Sequence, residues 1–128
     1  MKRAGREFGW DSTTQKIIQC ILKVHSVLGP GFLESIYRNA LTLELRASGM
    51  AAETEAEVKI MYEGQLVGRH RLDILVENKV VVELKTVEKL GRIHYAQVRS
   101  YLKATNLNVA ILADFAKESA DFRRIERT

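Results

Sequence analysis

The chain has 128 residues, of which 46% are hydrophobic, and one cysteine. That is enough apolar material for one substantial core and too much for a disordered tail; it rules out a disulfide within the chain, and no apolar run approaches the roughly 20 residues that a membrane helix requires. An excess of 20 Lys+Arg over 16 Asp+Glu, for a formal charge of +4 and a pI near 9.3, permits a polyanionic partner without requiring one.

The opening "MKRAGREFGW" carries charges with no apolar stretch behind them, so the expectation is a cytoplasmic protein with no membrane association. With no repeat, low-complexity segment or long linker, the chain reads as a single domain over 1–128. Its basic residues group at Lys2, Arg3 and Arg6, at Arg69 and Arg71, at Arg92, Arg99 and Lys103, and at Arg123, Arg124 and Arg127. Solvated faces account for each group.

"DSTTQKIIQCILKVHSVLGPG" predicts the first helix, with Ser12 and Gln15 in capping-box spacing and Ile17, Ile21, Val24 and Leu28 on one stripe, ending at Gly29-Pro30-Gly31. Cys20 falls inside this apolar pattern and reads as a small packed hydrophobe. A second helix, in line with the first or kinked from it, is expected through Leu33, Ile36, Tyr37, Ala40 and Leu41, closing at Gly49. From Glu57 the period becomes two, with Val58, Ile60 and Tyr62 alternating against Glu57, Lys59 and Met61. Glu63-Gly64 turns the chain into a strand around Val67 to Val76, and Glu77-Asn78-Lys79 turns it again into a third strand, Val80 to Val87. A third helix follows Gly91, with Ile93, Gln97, Ser100, Tyr101 and Ala104 on one face. "NVAILADF" then reads as a short buried strand, expected to lie parallel to the third strand after a right-handed crossover.

The stretch "RHRLDILVENKVVVELKTV" carries the chemistry. If Glu77 to Lys79 form a three-residue turn, Val76 pairs with Val80 and Asp73 lies opposite Glu83, with Cβ atoms about 5 Å apart. Lys85 shares the face of Glu83, whereas Val80, Val82 and Leu84 point to the other side and can enter the core. Facing anions repel unless a cation lies between them, and a hard divalent ion with oxygen ligands, Mg²⁺ in the simplest case, meets that need. The bland alternative is a solvent-facing ladder in which Lys85 screens Glu83 and Arg71 screens Asp73. Glu34 at a helix start and Gln97 on a later helix are further polar groups in apolar surroundings.

Gly31-Phe32-Leu33-Glu34-Ser35-Ile36-Tyr37 matches a GxxExxY signature, and "GRHRLDILVENKVVVELKTV" followed by "HYAQVRSYL" resembles the rest of the small bacterial and archaeal family that the signature names. That family is placed in the PD-(D/E)xK nuclease superfamily, and the resemblance runs from about Ser12 to Phe115. It implies an α/β, restriction-endonuclease-like three-layer core: helix, three-strand antiparallel meander, helix and parallel strand in a mixed sheet flanked by helices. It further implies a metal-dependent nuclease of low sequence specificity, acting on DNA or RNA with Mg²⁺, for which Mn²⁺ can substitute. Carried over residue by residue, Asp73, Glu83 and the Leu84 backbone carbonyl would ligate the metal. Glu34 would join them directly or through water. Lys85 would hold the attacking water and offset charge in the transition state, and Gln97 would orient the site in a Gln-x-x-x-Tyr arrangement with Tyr101. The resemblance leaves the oligomeric state open, a homodimer acting on two strands being one form.

Two residues depart from the pattern: Leu72 precedes Asp73 where the superfamily name has Pro, and "LADFAK" stands where family members end the strand with an Asn-Phe-Gly-like sequence. The second departure is remote from the chemistry in sequence and bears on partner contacts. His25, His70 and His94 lack zinc spacing; structural roles suit the first two, while His94, one turn before Gln97, could reach a phosphate. Tyr37 reads as core, with a hydroxyl able to bond a neighbouring carboxylate. The competing function is an interaction module for nucleic acid or protein that keeps the fold without cleaving; a degenerate nuclease usually loses one of the acidic pair or the lysine, and all are present here.

Overall fold

A computed structural model describes residues 11–127. In chain order the elements are α1 (Ser12–Leu28), α2 (Glu34–Ala47), β1 (Ala52–Tyr62), β2 (Gln65–Val76), β3 (Val80–Lys85), α3 (Arg92–Thr105), β4 (Val109–Asp114) and β5 (Asp121–Glu126). The strands form one sheet in the order β1-β2-β3-β4-β5, antiparallel except for the parallel β3–β4 pair, whose register runs from Val80 opposite Val109 to Lys85 opposite Asp114. No helix among the described residues is long and apolar enough to cross a membrane.

The first helix starts one residue earlier than the capping box predicted. Asp11 is the N-cap, its Oδ1 accepting from Thr14 N at 2.9 Å, so an aspartate rather than a serine meets the free amides at the helix start. The expected in-line or kinked second helix is corrected: α1 and α2 fold back on one another as an antiparallel pair. Lys23 Nζ bonds Glu44 Oε2 at 3.1 Å and Cys20 Sγ lies 3.4 Å from Ser48 Oγ, contacts that run in opposite directions along the two helices. Cys20 is buried, as its apolar setting suggested.

The reversal is held by Tyr37. Its hydroxyl donates to Gly29 O at 2.5 Å and accepts from Phe32 N at 3.1 Å, while its ring stacks on Phe115 at 4.6 Å between centroids. The hydroxyl therefore bonds the glycine-rich turn and not a carboxylate, which corrects that expectation. Tyr37→Phe keeps the ring and strands both turn groups. A loss of about 1–3 kcal/mol is expected, the usual cost of leaving buried backbone groups without partners. Urea unfolding checks it; a variant within about 0.3 kcal/mol of wild type would show that the hydroxyl does not hold the turn.

Helix α1 buries Ile17, Ile21 and Val24 as read in sequence, whereas α2 and α3 bury stripes rotated from the ones read there. In α2 the buried residues are Tyr37, Leu41 and Leu45, whereas Leu33 is 72% exposed and Ile36 is on the surface. In α3 they are Val98, Tyr101 and Leu102, and Ile93 is 71% exposed. Helices α1 and α2 cover one face of the sheet, with Val80, Val82 and Leu84 of β3 in that cluster. Helix α3 covers the other, with Val81, Leu112 and Ile125. Burial of β3 on both faces makes the molecule three-layered.

Two strand limits and one whole strand differ from expectation. β1 begins at Ala52 rather than Glu57, because its inward positions there are Ala52, Thr54 and Ala56, too small to stand out as an apolar alternation. β3 ends at Lys85, before Val87. β5, antiparallel to β4, was not anticipated: its basic residues read as a solvated cluster, yet Ile125 is buried and the Arg124 side chain is only 13% exposed.

Candidate active site

The β2–β3 hairpin is built as the turn predicted: Val76 pairs with Val80, Leu75 with Val81 and Ile74 with Val82. There the ladder stops. At the next position Asp73 N donates to Glu83 Oε2 at 2.8 Å, and Leu84 N donates to Asp73 Oδ2 at 2.8 Å. Two carboxylates thus accept from backbone amides of the opposite strand where carbonyls would otherwise do so, and the sheet forks. Beyond the fork β2 continues with β1 alone. Glu55, on β1 between the residues paired with Leu72 and Ile74, has φ +55°, and the hairpin changes its buried face there. Ala52, Ile74 and Val76 pack toward α1 and α2, while Val58 and Leu72 pack toward α3.

Helices bring the remaining groups to this fork. Lys85, the last residue of β3, donates from Nζ to Gln97 Oε1 at 3.2 Å across to α3. Glu34 opens α2, half-buried, within electrostatic reach of Asp73 and Lys85. Arg38, one turn further along α2, acts on both Glu34 and Asp73. Glu34, Asp73, Glu83, Lys85 and Gln97 therefore converge. Leu84 joins them through its amide, its side chain being fully buried in the core. Glu83 and Lys85 do not project into solvent as a ladder, and Arg71 pairs with Glu55 at 3.6 Å instead of screening Asp73.

Burial dominates the electrostatics. It pushes the Glu83 carboxyl up to about 8, with Asp73 adding to the rise and the Asp73 amide and Lys85 opposing it. Asp73 is also raised by burial, against the Leu84 amide and the Arg38, Lys85 and His70 charges. Glu34 is raised by burial and then by Asp73, with Lys85 and Arg38 opposing. Three carboxyls are thus held above their ordinary range in one cleft, chiefly because burial disfavours their charged forms. Each of Asp73 and Glu83 makes one hydrogen bond and leaves its other oxygen uncommitted among the described residues. No three His, Cys, Asp or Glu residues gather at ligand distance among the described residues. An all-oxygen donor set of two carboxylates, a backbone carbonyl and a third carboxylate nearby nevertheless fits a hard divalent ion, which keeps several waters and needs few protein ligands.

Arg38, His70 and Asp114 escaped the sequence reading as neighbours of the site. Arg38 had a signal, since it follows Glu34 by four residues on one helix face. His70 stacks on Tyr101 at 3.8 Å between centroids, but its Nε2 is buried without a partner among the described residues and its ring lies within electrostatic reach of Asp73 and Lys85. Asp114 belongs to the departing "LADFAK" segment; remote in sequence, it lies opposite Lys85 in the sheet, fully buried, its Oδ1 accepting from Val87 N and Ala116 N at 3.1 Å each. That segment, remote in sequence from the acidic pair, therefore braces the loop after Lys85. His25 Nε2 bonds Lys117 O at 2.7 Å, a structural role. His94 Nδ1 accepts from Gly91 N at 2.9 Å and so caps α3.

Solved structures resemble this fold closely enough to align over nearly the whole chain. The crystal structure of SSO0001 matches with a TM-score of 0.60 and 23% identity over 98% of this chain, which spans 63% of that one. An alkaline exonuclease, LHK-Exo from Laribacter hongkongensis, matches with 0.56 and 14% over 100% of this chain and 72% of its own. A phage-related exonuclease from Haemophilus somnus 129PT matches with 0.50 and 12% over 99% and 78%. At such identities the likeness is one of fold: restriction-endonuclease-like, α/β. No curated protein sequence matches. A family model for the PD-(D/E)XK nuclease superfamily, however, matches residues 11–125, from the cap of α1 to β5, and so takes in the whole fork with both helices that serve it. On that match the chain belongs to the PD-(D/E)XK nuclease superfamily.

Proposed function

We propose that the chain is a divalent-metal-dependent nuclease of the GxxExxY group that hydrolyses phosphodiester bonds of DNA or RNA with low sequence specificity. The observation that carries this reading is the fork itself, where Asp73 and Glu83 exchange bonds across two strands beside an ammonium, Lys85, tethered to Gln97. The exonuclease activities named for two of the structural relatives agree with it.

Asp73, Glu83 and the Leu84 carbonyl would hold Mg²⁺ or Mn²⁺, with Glu34 contributing directly or through water. The ion would supply Lewis-acid activation of the scissile phosphate and of water. Lys85 positions the attacking water and offsets the negative charge that grows on the phosphorus oxygens. Gln97, accepting from Lys85 Nζ, aims the ammonium along one direction. Arg38 moderates the carboxylate charge from the α2 side. Among the described residues nothing forms a base-reading element such as a helix-turn-helix, consistent with low specificity.

Crystals soaked in Mn²⁺ are expected to show anomalous density between Asp73 and Glu83; ions bound elsewhere with none at this pair would remove the site. For the activity, purified protein is screened against single-stranded, duplex and branched DNA and against RNA, each with Mg²⁺, Mn²⁺ or Ca²⁺. Cleavage of at least one substrate in Mg²⁺ or Mn²⁺ is expected. A protein that binds these substrates and cuts none is an interaction module that keeps the nuclease fold.

A further inference from the structure

Helix α2 carries a second apolar stripe besides the one it buries. Tyr37, Leu41 and Leu45 enter the core, whereas Ile36, Ala40, Leu43 and Ala47 recur at spacings of four, three and four residues and stay outside it, Ile36 39% and Leu43 69% exposed. That alternation of four and three is the seam by which one helix pairs with another. Glu34 and Arg38, two residues either side of Ile36, lie about 200° round the helix from it, so the seam turns away from the fork.

Beside the seam, α1 and α2 enclose a groove of about 280 Å³, lined by Val24, Val27 and Leu28 of the first helix and by Ala40 and Leu43 of the second. Val27 is 72% exposed. The two charged residues of the groove, Lys23 and Glu44, bond each other at 3.1 Å. This face of a chain with a formal charge of +4 therefore offers a charged partner nothing to recognise and does not repel its own copy. Ile36, Leu43 and Val27 together leave roughly 300 Å² of apolar side chain in water, the extent of a functional patch on a monomer. Doubled across a two-fold axis and widened by its polar flanks, such a contact approaches about 1,000 Å², the lower bound of a specific interface.

We propose that this face joins a second copy of the chain, α2 against α2, antiparallel across a two-fold axis. The seam is self-complementary in that arrangement. Reversal sets Ile36 against Ala47 of the second copy and Ala40 against its Leu43, and the two-fold repeats both contacts, so each large side chain meets a small one. Leu43 of the second copy then enters the groove beside Ala40, between α2 and the Val27 and Leu28 side chains of α1. Both forks face away from the contact, and the pairing is independent of the nuclease reading.

The test is sedimentation equilibrium of the full chain from about 1 to about 200 µM, the range in which an interface of this size associates. Wild type is expected to pass from 14.5 kDa to twice that mass, with a dissociation constant on the order of 10 µM. Leu43→Glu and Ala40→Lys each put a charge into the seam, and because the two-fold presents it twice, each is expected to weaken association at least about 100-fold. An equimolar mixture of the two variants sets the introduced ammonium against the introduced carboxylate in one contact and leaves the other contact native. That mixture is expected to regain the dimer to within about tenfold of wild type. Melting temperatures taken where wild type is monomeric verify folding, and Leu43, being exposed, tolerates the change. A wild type that stays monomeric throughout, a dimer that survives Leu43→Glu, or monomeric variants whose mixture stays monomeric would each overturn the proposal. In the first case the face has another occupant, residues 1–10 or a different protein.

Discussion

Lys85→Ala is expected to slow Mg²⁺-dependent cleavage by on the order of 10²- to 10³-fold while nucleic-acid affinity, measured in Ca²⁺ to suppress turnover, stays within about twofold of wild type. The asymmetry follows from where the charge is needed. The ammonium sits at the end of β3, tied to Gln97, and in the proposed mechanism it would meet negative charge that develops only as the phosphodiester is attacked. Ground-state binding is set by lysines and arginines elsewhere, so kcat should fall and KM should not. Lys85→Arg should fail similarly, because a planar guanidinium cannot occupy the same point as a compact ammonium between Gln97 and the carboxylates. Folding is expected to survive, since the side chain faces the cleft rather than the Leu84 core. Equal rates in the three proteins would take Lys85 out of the mechanism.

Glu83→Gln is expected to stabilise the metal-free protein at alkaline pH and to abolish its stabilisation by Mn²⁺. Burial pushes the folded-state carboxyl up to about 8 from an ordinary value of 4.5, so between these limits the folded state binds more protons than the unfolded one. Stability from this group is therefore fully present below about pH 4.5 and is lost as pH rises through about 8. Glutamine presents a neutral acceptor to the Asp73 amide at every pH and escapes that loss. The two proteins should melt together near pH 5 and diverge by pH 9, each kcal/mol of difference appearing as about 3–6 °C for a chain of this size. Mn²⁺ should raise the wild-type melting temperature at pH 8 and leave the variant unmoved. If the melting curves of wild type and variant keep the same separation from pH 5 to pH 9, Glu83 does not carry the cleft's unbalanced charge.

The turn Glu77-Asn78-Lys79 made the essential geometry readable in advance, since a Val76–Val80 pair dictates that Asp73 and Glu83 meet. What periodicity could not convey is that the ladder ends there and the two carboxylates replace backbone acceptors, because that depends on how β1 twists at Glu55. Helix faces were misread where large apolar residues are exposed: Leu33, Ile36 and Ile93 match the helical period yet lie at the surface, and the buried stripes run through Tyr37 and Val98. Gly29-Pro30-Gly31 announced a break but not its angle, which is decided by Tyr37 reaching back to Gly29. β5 was concealed by Arg123 and Arg124 between its apolar residues Phe122 and Ile125. Of the site, Glu34, Asp73, Glu83, Lys85 and Gln97 were legible as polar residues within otherwise apolar patterns. Arg38 was signalled only by its spacing from Glu34, and Asp114 not at all, since it gains its relation to the site through packing alone.

The pairing of β3 with β4 in parallel has a kinetic consequence. The α1–α2 and β1–β2 pairs are sequence neighbours and can form by closing short turns, but β3 cannot meet β4 until α3 has been laid across the sheet between them. Lys85 receives Gln97 from α3 and the support of Asp114 from β4, so it acquires its surroundings at this late, long-range step. The half of the cleft drawn from local hairpins is expected to assemble early and the half around the ammonium last, so a chain stalled before the crossover would bring its carboxylates together before Lys85 meets Gln97.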